Sequence, residues 1–250
     1  MSGHSKWASI KRKKGATDAK RGQLFSKLVR AIIVAARDGG PDPGANLALQ
    51  NAIEKAREAA MPKENIERAI AKGSGTGSDA AAYETVTYEG YGPGGVALFV
   101  EALTDNRNRT AADVRQAFTK SDGNLGESGS VAWLFERKGV ILVDGAADED
   151  ELVLAAADAG ADDVEPDESS YRVTTAPESL HAVRAALEEG GLPIESAEST
   201  MVPKTQVSIE DETTARKVVR LMDDLEENDD VQAVYSNFDI PERVLEAVAS

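Results

Sequence analysis

Apolar positions recur along the chain with two periods, and the change from one to the other divides it. In residues 17–38 they fall at Leu24, Phe25, Leu28, Val29, Ile32 and Ile33, which lie within one half of a helical wheel. Thr17 or Asp18 suits the N-cap of this predicted helix, and Gly39-Gly40-Pro41 stops it. Lys20, Lys27, Arg30 and Arg37 collect in the opposite arc, so the helix has a core face and a basic ridge. The turn GGPDPG leads to a second predicted helix over about 46–60, with Leu49, Ile53 and Ala56 on one side. Met61-Pro62 breaks it. Pro62 then opens a third helix, KENIERAIAKG, in which Glu64 suits the positive N-terminus and Gly73 the C-cap.

After GSGTGSDAAA, whose composition is that of a linker over 74–82, the period shortens. ETVTYEGY and VALFVEAL predict strands around the turn GPGG, Thr110 begins a helix that ends at Lys120, and VAWLF predicts a further strand. QVSI, TARKVVRLMDDLEE and VQAVYSNF continue the alternation as strand, helix and strand. Between these blocks, residues 139–202 read β-α-β-β-α-β, the ferredoxin-like order. The expected fold class is therefore multidomain α+β. A basic arm and three-helix domain occupy 1–73, and a discontinuous α+β domain takes 83–138 with 203–240. A ferredoxin-like α+β domain is inserted between its halves.

Charge sharpens this division. The chain of 250 residues carries −16 overall, yet residues 1–30 hold nine Lys or Arg (Lys6, Lys11, Arg12, Lys13, Lys14, Lys20, Arg21, Lys27, Arg30) against the single acid Asp18. Up to Gly73 there are fifteen basic and seven acidic residues; the remainder has thirteen and thirty-seven, a net −24. Such polarity points to a nucleic-acid or membrane partner at one end, or to docking of one part of the chain on another. Trp7 among the cations offers a face on which a base can stack. The first apolar cluster is interrupted by Lys27 and Arg30, so no secretory leader is expected, and no apolar run has the length of about 20 residues that spans a bilayer. The absence of cysteine removes disulfides, thiolate metal sites and thiol nucleophiles, and fits a cytoplasmic location.

Catalytic chemistry has little to work with. His4 and His181 are far apart, and neither has metal-ligand spacing. Asp122, Asn124 and Gly126 resemble a calcium loop, but the glycine falls a residue early and Trp133 stands where the closing Glu belongs. No catalytic residue, metal or cofactor is expected. TDNRNRT, at the start of a predicted helix, allows two readings: Arg107 and Arg109 as an anion site, or a turn with Thr110 as N-cap and Asp113 reaching back.

GHSKWASIKRKKGATDAKRGQLFSKL, AARDGGPDPGANLAL, AAMPKENIERAIAKG, YEGYGPGGVALFVEALTDNRNRTAADVR, GNLGESGSVAWLF and DDVQAVYSNF resemble the signature stretches of the YebC/PmpR family, from residue 3 to about 240. The resemblance implies a helical N-terminal domain followed by two α+β domains, one inserted in the other. It also implies a non-enzymatic regulator of gene expression, described for the family as DNA-binding and transcriptional, with relatives assigned to translation on the ribosome. By position it places the family's basic motif on Lys6, Trp7, Lys11, Lys13, Lys14, Lys20, Arg21 and Lys27, while Arg12 stands where many relatives have histidine. DNA is the expected partner, with ribosomal RNA as the alternative. The acidic α+β part suits a protein partner or self-association.

Overall fold

The computed structural model describes residues 18–75, 83–167 and 170–249. Three helices come first: α1 (Asp18–Gly39), α2 (Leu47–Glu58) and α3 (Lys63–Ser74). Their core is the predicted apolar face. Ile32, Ile33 and Ala36 of α1 are buried against Leu49, Ile53 and Ala56 of α2 and Ile66 and Ala69 of α3, each large side chain adding roughly 1.5–3 kcal/mol. Gly40, at φ 88°, turns the chain out of α1. Asn46 then joins two helices: its Oδ1 caps α2 at Leu49 N (3.1 Å), and its amide donates to Ala35 O and Gly40 O, both at 2.8 Å.

Gly73 differs from its expected role as a C-cap. The helix runs on to Ser74 with Gly75 as cap. A Cβ at Gly73 would lie 2.3 Å from Ile33 O, so this glycine is where α1 and α3 approach each other backbone to backbone. Of the predicted linker, Ser74 and Gly75 are described, and 76–82 lie outside the described residues.

The outer α+β domain contains β1 (Glu84–Tyr91), β2 (Ala97–Thr104), α4 (Arg107–Lys120), β3 (Asn124–Leu125) and, beyond the insert, β8 (Val207–Ser208), α7 (Glu212–Glu226), β9 (Val231–Ser236), β10 (Phe238–Asp239) and α8 (Glu242–Ala249). Its antiparallel sheet has the order β3-β1-β2-β9, and β8 pairs in parallel with β10 apart from it. Leu98 and Val100 of β2 pack with Val114 and Phe118 of α4 and with Val218, Leu221, Met222 and Leu225 of α7. Two readings are corrected here. VAWLF is no strand of this sheet, because Ala132–Leu134 form a 3-10 turn. QVSI joins β10 rather than the main sheet, whose fourth member is the two-residue β3. Helix α8 was not anticipated.

Trp133–Gln206 make a second compact unit: β4 (Phe135–Asp144), α5 (Glu149–Asp158), β5 (Asp163–Asp167), β6 (Ser170–Thr175), α6 (Leu180–Glu189) and β7 (Ile194–Pro203). The strand order β5-β6-β4-β7, antiparallel throughout, is that of the ferredoxin-like plan. Its first strand starts before the predicted GVILV, at Phe135, which pairs with Pro203 at the end of the last. Ile141, Val143 and Val173 are buried under Leu152, Val183 and Leu187 of the two helices.

Candidate nucleic-acid interface

Of the ten expected nucleic-acid contacts, Lys6, Trp7, Lys11, Arg12, Lys13 and Lys14 lie outside the described residues, as does the side chain of Lys20. Arg21, Lys27 and Arg30 remain. Arg21 is exposed, its guanidinium 5.4 Å over the Phe25 ring. Lys27 and Arg30 occupy the ridge face of α1, but their partners belong to the chain itself. Lys27 Nζ donates to Glu226 O, and Gln23 Nε2 to Glu227 O at 3.1 Å. Arg30 donates to Asp229 O and to Asp230 Oδ1, the latter at 2.9 Å, and lies over the Tyr83 ring. Farther along, Arg37 Nη1 donates to Tyr83 O at 2.6 Å.

Asp230 organises this corner. Its side chain is 5% exposed, at the point where the acidic run 223–230 meets the buried strand β9. Oδ2 receives Arg109 Nη2 at 2.7 Å and Thr110 Oγ1 at 2.7 Å, and Thr104 Oγ1 is 3.3 Å away. Burial pushes the Asp230 carboxyl up, but the bonds from Arg109 and Thr110 and the charges of Arg109 and Arg30 outweigh it, and the group is held below the ordinary carboxylate range. Arg109 is correspondingly raised by Asp230 and then Asp105, which it meets at 2.9 Å.

These contacts bear on both readings of TDNRNRT. Helix α4 begins at Arg107, and its N-cap is Asn106, whose Oδ1 accepts Arg109 N at 3.1 Å. Thr110 is therefore not the cap; it is buried in the first turn with its hydroxyl on Asp230. The anion Arg109 holds here is a carboxylate of the chain. Arg107 stands apart, 3.8 Å from Glu84. An open cleft of about 440 Å³ lies beside Arg30 and Arg109, and its lining holds five carboxylates, Asp105, Asp113, Glu227, Asp229 and Asp230, against those two guanidiniums. That balance repels a phosphate.

Sequence reasoning missed Asp230 by treating DDLEENDD as one solvated run. The signal was its last position: an acid directly before a buried strand can be drawn in with it, and its carboxylate then needs hydrogen-bond donors or cations. It also missed Glu89, which is 4% exposed. Glu89 Oε1 accepts Gly129 N at 2.7 Å, and Oε2 accepts Val131 N at 2.8 Å and Ala132 N at 2.7 Å. Burial pushes this carboxyl up, but the three backbone donors hold it below its usual range.

Among the described residues no helix is long and apolar enough to cross a membrane, and no three His, Cys, Asp or Glu side chains are grouped to hold a metal. Residues 5–76 match the TACO1/YebC protein N-terminal domain, and residues 83–238 the TACO1/YebC second and third domain. The chain belongs to the TACO1/YebC family. A probable transcriptional regulatory protein of Rubrobacter xylanophilus is 61% identical over 250 residues, covering 100% of both chains. One of Dictyoglomus turgidum, with the same description, is 55% identical over 251 residues, again over 100% of both. The crystal structure of a conserved hypothetical protein from Aquifex aeolicus, 55% identical, superposes with a TM-score of 0.79 over 90% of this chain and 93% of its own. The TACO1/YebC fold thus accounts for the helical domain and both α+β domains.

Proposed function

We propose that this TACO1/YebC chain is a nucleic-acid-binding regulator of gene expression whose basic arm grips a phosphate backbone. The observation that carries the reading is where the cations stand. Seven of the nine in residues 1–30 (Lys6, Lys11, Arg12, Lys13, Lys14, Lys20 and Arg21) precede the turn of α1 that reaches Glu226 and Asp230, with Asp18 the only acid among them. Trp7 adds a stacking surface within the same arm.

Base reading has less support than backbone contact. The outer faces of α2 and α3 mix Lys55, Arg57, Lys63 and Arg68 with Glu54, Glu58, Glu64 and Glu67, whereas a recognition helix presents donors to a groove. Relatives are described as probable transcriptional regulatory proteins, and on that description we take duplex DNA as the first target. The charge-balanced helices favour a second reading, in which the same arm holds ribosomal RNA by its backbone.

If about five to seven of the arm cations touch phosphates, log K against log salt falls with a slope of about −4 to −6 on duplex DNA. Lys11→Ala, Lys13→Ala or Lys14→Ala each lowers affinity on every sequence and reduces the slope by about one. Filter binding at several salt concentrations measures both. Competition between promoter DNA and ribosomes for the same protein separates the two targets. Unchanged affinity and slope after removal of residues 1–17 would sink the reading.

A further inference from the structure

Gln23, Lys27 and Arg30 stand at i, i+4 and i+7 on α1 and descend together on one corner of the outer domain. Their acceptors are carbonyls of Glu227, Glu226 and Asp229, joined by the Asp230 carboxylate. Glu226 ends α7, so Lys27 and Gln23 bind where a helix leaves its last carbonyls unpaired and its dipole is negative. Six acids stand within 223–230. The apolar clusters of the helical domain and of the outer domain share no residue. The opposite face of α1, through Ile32, Ile33 and Ala36, belongs to the helical core.

We propose that the 226–230 corner is an internal competitor for the basic ridge: it latches Lys27 and Arg30 in the free chain, and a polyanion held by the arm takes them over and releases the helical domain. The proposal rests on the reading above for the polyanion and adds how its binding is regulated. Because the seat is made of polar contacts whose cationic side chains, Lys27 and Arg30, keep part of their surface in water, and because the buried Asp230 retains Arg109 and Thr110 when Arg30 leaves, salt and competing phosphates weaken it. Because the apolar face of α1 stays in its own core, release moves the three helices as a body and leaves α1 folded. Polyanion affinity is lowered by the fraction of chains that are latched.

The chain has no cysteine, so Ala71→Cys on α3 and Thr213→Cys on α7, both at exposed positions, accept a pair of spin labels in the full-length protein. At low salt the label distance is expected to form one narrow population. High salt alone, or saturation with a duplex or RNA of about 30 nucleotides' length, should broaden or lengthen it. Glu227→Gln with Asp229→Asn removes two charges beside the seat and leaves its carbonyl acceptors in place; this variant should bind duplex roughly three- to tenfold more tightly, and the gain should vanish when Lys27→Ala and Arg30→Ala are also present. An equal gain in both backgrounds would be a general charge effect and overturns the latch. So does an unchanged distance with duplex bound. If neither duplex nor RNA binds, the functional reading falls and the salt measurement alone decides: a distance that stays fixed at high salt overturns the latch as well.

Discussion

Glu89 and Asp230 are both buried and both ionised, but they face different donors. Glu89 gathers three backbone N–H groups and so holds the glycine-containing segment 126–132 against β1. Gln at this position offers one oxygen where the segment needs two, and turns an NH2 toward an N–H. Glu89→Gln should therefore lower stability by about 1–3 kcal/mol in urea unfolding. Both carboxyls are depressed in the folded chain. The stability they provide is complete above their unfolded pKa values, near 4, and is lost as pH falls through the folded ones. Unfolding followed from pH 6 downward should steepen below about pH 4, and Glu89→Gln should flatten that limb. Glu89 left no trace in the sequence and Asp230 only its place before a buried strand, because burial of an acid depends on which distant segment crosses it: Val131 lies across from Glu89, and Arg109 from Asp230.

Elements were more legible than their neighbours. Helix α1 follows from its apolar spacing, and the two-residue period announces β1 and β2, since these patterns record which face meets a core. What the pattern omits is the partner of the polar face. The ridge of α1 reads as a surface for an outside anion, while the structure sets Lys27 on the last carbonyl of α7 and Arg30 on Asp229 and Asp230 in the turn after it. Short strands such as β3 and β8 leave no periodic trace, so VAWLF and QVSI were misplaced. Gly73 reads as a helix stop because it lies near one, yet its missing side chain serves the contact with Ile33 O. Gly73→Ala gains helix propensity of about 1 kcal/mol but drives a methyl into a backbone oxygen. The net effect should be a loss of roughly 1–3 kcal/mol, seen as a lower midpoint in thermal unfolding; a gain would mean that α1 and α3 shift apart freely.

At the scale of the molecule, the compact Trp133–Gln206 unit carries its own buried cluster. Expressed alone it should unfold in a single cooperative transition, and the chain with this segment replaced by a short glycine-serine bridge should keep the outer domain's core; circular dichroism of both products tests this. The ferredoxin-like order was legible at this scale because element order survives without knowledge of contacts.

The pairing of Phe135 with Pro203 also has a temporal consequence. Strand β2 must find β9 across the whole insert before Leu98 can oppose Ser236, and in an unfolded chain that search closes a long loop. Once the insert has folded, its two ends lie side by side and the same loop becomes short, each halving of its length removing about 0.6 kcal/mol of closure entropy. The insert should thus form early and act as a clasp for the outer sheet, which follows. Ile141→Ala, buried wholly within the insert, should slow the recovery of the outer domain's signal in refolding, although it touches none of that domain's core residues.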